Sequence, residues 1–206
     1  MSHVVVRSDN ASYITVMSRN TRKHLWAWLA IAAVLVVAIY QLHNQGRLWW
    51  CSCDRLFLWS GDLWSSHNSQ HLFDPYSFTH ILHGLIFCGL LAWGLPRLAP
   101  MWRLWLAVSI ESLWEVVENS DFIIRRYREA TVSLNYHGDT IFNSLGDILL
   151  CGIGFMLARY LGFRRSLALF AVTEIVLLLW VRDSLILNVL MLLCPVDAIK
   201  AWQIGH

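Results

Sequence analysis

Three glutamates, Glu111, Glu115 and Glu118, close an apolar run that begins near Met101. At i, i+4 and i+7 of a helix they fall within roughly 60° of one another, so they share one face. An ionisable residue at the centre of a bilayer costs about 2.5–3.5 kcal/mol on insertion scales. That face must therefore turn toward polar groups, water or a metal. Two histidines, His80 and His83, stand at i and i+3 in a second apolar run, and Asp139, Asn143 and Asp147 form a stripe at the head of a third. Imidazole with carboxylate is a donor set for a divalent metal such as zinc, iron or manganese. His80, His83 and Glu111 are the candidate metal ligands, and Glu115 and Glu118 the candidate general bases. H-x-x-H is not the i, i+4 pair of H-E-x-x-H, however. A metal-free hydrogen-bonded network of the same side chains is the other reading.

The elements that must position these groups are membrane helices. The chain has 206 residues, is 57% hydrophobic with 12 Trp, and carries only 15% charged residues. That is too apolar for an ordinary soluble domain. No basic patch marks a nucleic-acid partner, and the unbroken apolar runs exclude the alternating segments of a membrane β-barrel. The pattern predicts an all-α, multi-pass bundle of about five spans: 25–42, 77–94, 101–119, 139–161 and 166–181. The first is an uncleaved anchor, since no small-x-small site follows it. The piece 185–194 is too short to cross alone and is expected as an interfacial or re-entrant helix. Residues 1–23 form a polar N-terminal extension, 24–206 one membrane-embedded domain, 43–76 an outer loop rich in Trp, Cys and His, and 120–138 a partly helical surface segment.

Arg19, Arg22, Lys23, Arg97, Arg103, Arg159, Arg164 and Arg165 fall on one side and Arg47, Arg55, Arg125, Arg126, Arg128, Arg182 and Lys200 on the other. The totals nearly balance, but the bias is cleaner next to the first, second and fourth spans, and the outer arginines sit among acids. The positive-inside bias then puts the N-terminus in the cytoplasm of a bacterial inner membrane. At 1.5 Å of rise per residue, Glu111 and Asp147 lie about 12 Å below the outer boundary and His83 about 9 Å below. Matching depths on three spans imply a polar cavity open to the outer face. Arg125, Arg126 and Arg128 follow the glutamate helix and are candidates to clamp a lipid phosphate. Asn143, Asp147 and Arg182 are further candidates to touch substrate. Glu174 is the main acid on the other side, which leaves a transmembrane ion route incomplete. In the loop, Cys51-x-Cys53 with His67 and His71 offers donors for a thiophilic metal. No Walker loop, G-x-S-x-G or c-type haem motif occurs.

His80-x-x-His83-Gly84, Glu111-x-x-x-Glu115-x-x-Glu118-Asn119, Arg126-Tyr-Arg128, Gly138-Asp139-x-x-x-Asn143-Ser144-x-x-Asp147 and Arg182-Asp183-x-x-x-x-Asn188 together resemble one family. It is a family of small bacterial inner-membrane proteins known as a domain of unknown function. The resemblance spans roughly residues 45–204. It implies a multi-pass plasma-membrane protein and no particular activity, substrate or cofactor. The placement of His and Glu near the outer ends of short helices is also similar in style to VanZ-like proteins. Two functions are expected from the residues. One is a metal-dependent enzyme acting in the lipid bilayer on a lipid or lipid-linked substrate. The other is a non-catalytic or ligand-binding subunit bound to a membrane-protein partner.

Overall fold

A computed structural model describes residues 10–131 and 136–205, with side chains described at residue 22 and from residue 24 onward. Among the described residues there are eight helices and no strands: α1 Asn10–Asn44, α2 Ser77–Gly94, α3 Pro100–Glu118, α4 Asp121–Ala130, α5 Ile141–Leu161, α6 Phe163–Val181, α7 Leu185–Leu193 and α8 Asp197–Ile204. Most of the expected polar extension 1–23 continues α1, which begins at Asn10; residues 1–9 lie outside the described part.

Three helices are long and apolar enough to cross a membrane: the His24–Asn44 part of α1, α2 and α5. The pair α6 and α7 adds a fourth if its 71° bend is one broken span. The multi-pass helical bundle expected from the sequence is therefore present, and of the five expected spans α3 is the one that does not meet the apolar criterion. α3 fails on composition because Arg103 and its three glutamates interrupt it. Its 19 residues still reach about 28 Å, and it packs against α1, α2 and α5. The neighbours that surround α3 accommodate charges that lipid would not.

The apolar core joins Leu82 and Leu85 of α2, Leu104, Ala107 and Val108 of α3, and Ile148, Phe155 and Ala158 of α5. The tightest contact is α2 on α5, where two glycines let the backbones touch. A Cβ on Gly84 would stand 2.1 Å from the Cys151 carbonyl oxygen, and one on Gly154 would stand 2.2 Å from that of Ile81. Small residues at such a crossing are the usual means of close approach between membrane helices.

Loop 45–76 lies across the head of α5. The N–H groups of Thr140, Ile141 and Phe142 donate to the carbonyls of Ser69 (3.1 Å), Leu48 (2.8 Å) and Trp49 (3.1 Å). Donors that a helix N-terminus leaves without partners are thus satisfied by the loop. Trp49, Trp50, Trp59 and Trp64 are each about half exposed, and Trp59 stacks on Trp180 of α6 with ring centres 6.2 Å apart.

After α6 the chain turns at Arg182, whose φ of 52° is left-handed, and α7 folds back. Glu174 of α6 then accepts the N–H groups of Leu185 (2.9 Å) and Ile186 (3.2 Å). Glu174, the main acid named for the other side, thus supplements the N-cap Ser184, whose hydroxyl accepts the Leu187 N–H at 3.3 Å.

Candidate functional site: a buried His–carboxylate cavity

Each polar stripe arrives on its own helix, and the α2–α5 contact brings the stripes together. Glu111 is fully buried on α3 and receives two imidazoles from α2. His80 Nδ1 is 2.5 Å from its Oε1, and His83 Nδ1 is 2.9 Å from Oε1 and 3.0 Å from Oε2. A carboxylate only accepts, so both rings present Nδ1–H to Glu111 and keep Nε2 for other partners. His80 Nε2 faces Asp147 Oδ2 of α5 at 3.8 Å. Asp147 in turn accepts the Ser77 hydroxyl at 2.8 Å.

One turn along α3, Glu115 is fully buried, and neither of its oxygens has a hydrogen-bond partner. His80 Nδ1 stands 3.4 Å from Glu115 Oε1. Glu118, half-buried one turn further, sits beside the Tyr127 hydroxyl. Two overlapping groups, His80–His83–Glu111 and His80–Glu115–Glu118, each place three ligand atoms within 4.8 Å of one another.

The cavity over these groups has His80, His83, Asp147 and Glu118 in its floor. Asp74 and Asp139 stand in its wall, and Leu185, Asn188, Val189 and Leu192 of α7 form its roof. Water-sized occupants have about 70 Å³, and each water needs roughly 10–15 Å³ by that measure. An ion with a few waters therefore fits. Six carboxylates surround the site (Asp74, Glu111, Glu115, Glu118, Asp139 and Asp147), and among the described residues no Lys or Arg lines the cavity.

Outside the spans, the wall is built from satisfied polar groups. Asp74 accepts from the N–H groups of Ser69, Tyr76 and Ser77 at 3.1, 2.7 and 3.2 Å, which fixes the loop to the head of α2. Burial raises its carboxyl above the usual range despite those donors. Asp139 accepts from Asn119 Nδ2 (2.8 Å) and from the Tyr136 hydroxyl (2.9 Å), and its own N–H donates to Asn119 Oδ1 (2.7 Å). Burial still lifts its carboxyl from 3.8 to about 6.

The remaining candidates from the sequence lie elsewhere. Asn143 does not line the cavity; it is buried and donates to the His71 carbonyl at 2.8 Å, holding the loop. Arg125 is exposed and bonds its own helix at the Asp121 carbonyl (3.1 Å). Arg126 reaches the Leu192 carbonyl at 2.8 Å and ties α4 to the end of α7. Arg128 holds the Tyr136 carbonyl at 2.5 Å and His137 Nδ1 at 2.8 Å. Arg182 donates to the carbonyls of Trp202 (3.0 Å) and Gly205. All four guanidinium groups serve backbone carbonyls or a neighbouring ring, which their position at the surface could not reveal. Sequence reasoning gave no role to Asn119, Tyr127 or Tyr136. The first two stand inside the motifs quoted above, and that was the available signal.

Residues 42–205 match the family model described as "Protein of unknown function (DUF2585)". A UPF0314 protein of Rhizobium meliloti is 46% identical over 190 residues, covering 91% of this chain and 94% of its own. UPF0314 proteins of Paracoccus denitrificans and Sphingopyxis alaskensis are each 43% identical, covering 89% and 86% of this chain and 94% and 95% of their own. None of the three is VanZ-like by name. No solved structure matches the chain.

Proposed function

We propose, from the premise that the chain belongs to the DUF2585 (UPF0314) family of bacterial proteins, that it is a membrane protein holding a divalent cation in the His80–Glu111–Glu115 cavity. The metal would serve hydrolysis of a lipid or lipid-linked substrate. One observation carries the reading. Glu115 is a buried carboxylate with two unpartnered oxygens, in a site with six carboxylates, two imidazoles and no Lys or Arg. A buried ionised carboxylate left unpaired costs several kcal/mol, so the site must take up protons or a cation. His80, His83 and Glu111 supply one ligand set, and His80, Glu115 and Glu118 the other. A bound divalent ion would lower the pKa of a coordinated water toward about 7. With His80, His83 and Glu111 as the ligands, Glu118, which lines the cavity, would take that water's proton. The apolar roof from α7 suits an acyl chain, and the acidic floor suits the polar end of the same molecule. Inner-membrane location with a cytoplasmic N-terminus follows from the distribution of Lys and Arg.

A specific observation also favours the second reading, a metal-free subunit of a larger complex. Glu111, Asp147 and Asp139 already have protein donors. Elemental analysis of the detergent-purified protein separates the two. The enzyme reading expects wild type to hold one metal equivalent more than His80→Ala/His83→Ala and more than Glu115→Gln. Equal metal content in all three, with each eluting as a single folded species, overturns it in favour of the network.

A further inference from the structure

The loop across α5 holds a second cluster that the cavity does not use. Cys51, Cys53, His67 and His71 each bring one ligand atom, and all four atoms lie within 4.8 Å of one another. Cys51 Sγ is 3.6 Å from His67 Nδ1, and His67 Nδ1 is 3.1 Å from His71 Nε2. Cys51 and His71 are buried, while Cys53 and His67 are partly exposed, so the cluster has a closed side and an open one. No carboxylate belongs to the group, and every cysteine is a free thiol.

From this geometry we infer that the loop carries a structural site for a borderline-soft, tetrahedral cation of the zinc class, bound by two thiolates and two imidazoles. Bonds of about 2.3 Å to sulfur and 2.0–2.1 Å to nitrogen place tetrahedral ligands roughly 3.3–3.8 Å apart. The 3.6 Å sulfur–nitrogen separation already meets that spacing, and the farthest pair, within 4.8 Å, has at most about 1–1.5 Å to close. A Cys₂His₂ set closes the coordination sphere, which is the signature of a structural rather than a catalytic zinc. Two thiolates also neutralise a divalent charge, and that suits a site with a buried side. The Phe57 N–H reaches His71 Nδ1 only at 3.4 Å. This contact gives way on loading, because Nδ1 carries the ring proton once Nε2 takes the ion.

The loop has reason to need such a staple. Between α1 and α2 its only strand-like pairing is the single bridge Trp59–Phe73. An irregular segment of that length is uncommon in a compact domain without an added constraint. The bracing also reaches the cavity. The His71 carbonyl holds Asn143, and Ser69 and Asp74, two and three residues away, stand in the cavity wall.

The test is titration of the reduced, metal-stripped full-length protein in detergent with Co²⁺, read by absorbance, followed by competition with Zn²⁺. The expected result is one equivalent of cobalt showing a thiolate-to-metal charge-transfer band and an intense tetrahedral visible spectrum, both abolished by one equivalent of zinc. Cys51→Ser/Cys53→Ser should lose the band, and His80→Ala/His83→Ala should keep it at full amplitude. The last comparison separates this site from the cavity, so either can fail without the other. Absence of a charge-transfer band in reduced wild type overturns the inference, whatever the variants do. So does a band that survives in the double-serine protein.

Discussion

Gly154→Ala isolates the contact on which the cavity depends. In an exposed helix interior this change stabilises, because alanine is favoured over glycine by about 0.5–1 kcal/mol. Here the new Cβ would stand 2.2 Å from the Ile81 carbonyl oxygen and 3.0 Å from two further backbone atoms. Ordinary van der Waals separation to that oxygen needs about 1 Å more, and a backbone carbonyl inside a helix cannot swing aside. α2 and α5 must part by about that distance along their closest seam. Overpacking of this kind costs about 1–3 kcal/mol. The net of the two terms is a loss of up to about 2.5 kcal/mol, or up to roughly 5–10 °C in melting temperature for a chain of this size. Thermal unfolding in a mild detergent reads it directly. Gly84→Ala strains the same seam, where its Cβ would meet the Cys151 carbonyl at 2.1 Å. One displacement relieves both clashes, so the double variant should lose less than the sum of the singles. The same shift opens the 2.8 Å Ser77–Asp147 hydrogen bond, and metal retention in the cavity should fall with the melting temperature. A Gly154→Ala protein as stable as wild type, or more stable, would refute the close approach.

Other perturbations follow from single groups. The Asp139 carboxyl, raised by burial to about 6 from an ordinary 3.8, favours its neutral form in the fold. Its contribution, about 3 kcal/mol, is fully present below pH 3.8 and is lost as pH rises through about 6. Asp139→Asn should therefore flatten the pH dependence of melting temperature between pH 4 and 7, which a series of buffered melts would show. Glu174→Ala removes the acceptor for two N–H groups at the head of α7; a loss of about 1–2 kcal/mol is expected, with faster amide exchange at residues 185–188. Asn119→Leu strips Asp139 of one donor and leaves its N–H without an acceptor. It should destabilise by about 2–3 kcal/mol, visible as a shifted denaturation midpoint.

Much of the site was legible because membrane energetics leave few options for a charged stripe. The helix period put Glu111, Glu115 and Glu118 on one face, and equal depths on three helices led to one cavity, where His80, Glu111 and Asp147 indeed meet. What distance along the sequence could not give was the direction of flexible side chains. Three arginines beside the site looked like an anion clamp, yet Arg126 and Arg128 reach carbonyls at the end of α7 and in the loop before α5, and Arg125 bonds its own helix. The bonds Glu174 makes to the head of α7 were not legible, because they depend on a 71° bend that folds α7 back beside it. α3 was legible as a bundle helix from its apolar run, although Arg103 and three glutamates keep it below the apolar criterion, because it packs against α1, α2 and α5. Tyr127 and Tyr136 were lost among the many aromatic residues of an apolar chain.

The seat of the loop on α5 also orders events during synthesis. The carbonyls of Leu48, Trp49, Ser69 and His71 find their donors at residues 140–143, and His71 precedes Asn143 by 72 residues. At about 5–20 residues per second, the ribosome needs roughly 4–14 s to cover that stretch. Throughout that interval the loop has emerged without the helix head it rests on, and Cys51 meets its surroundings before burial. The loop therefore waits for α5 to complete its hydrogen bonds, and the cavity wall that Ser69 and Asp74 help to form closes only then.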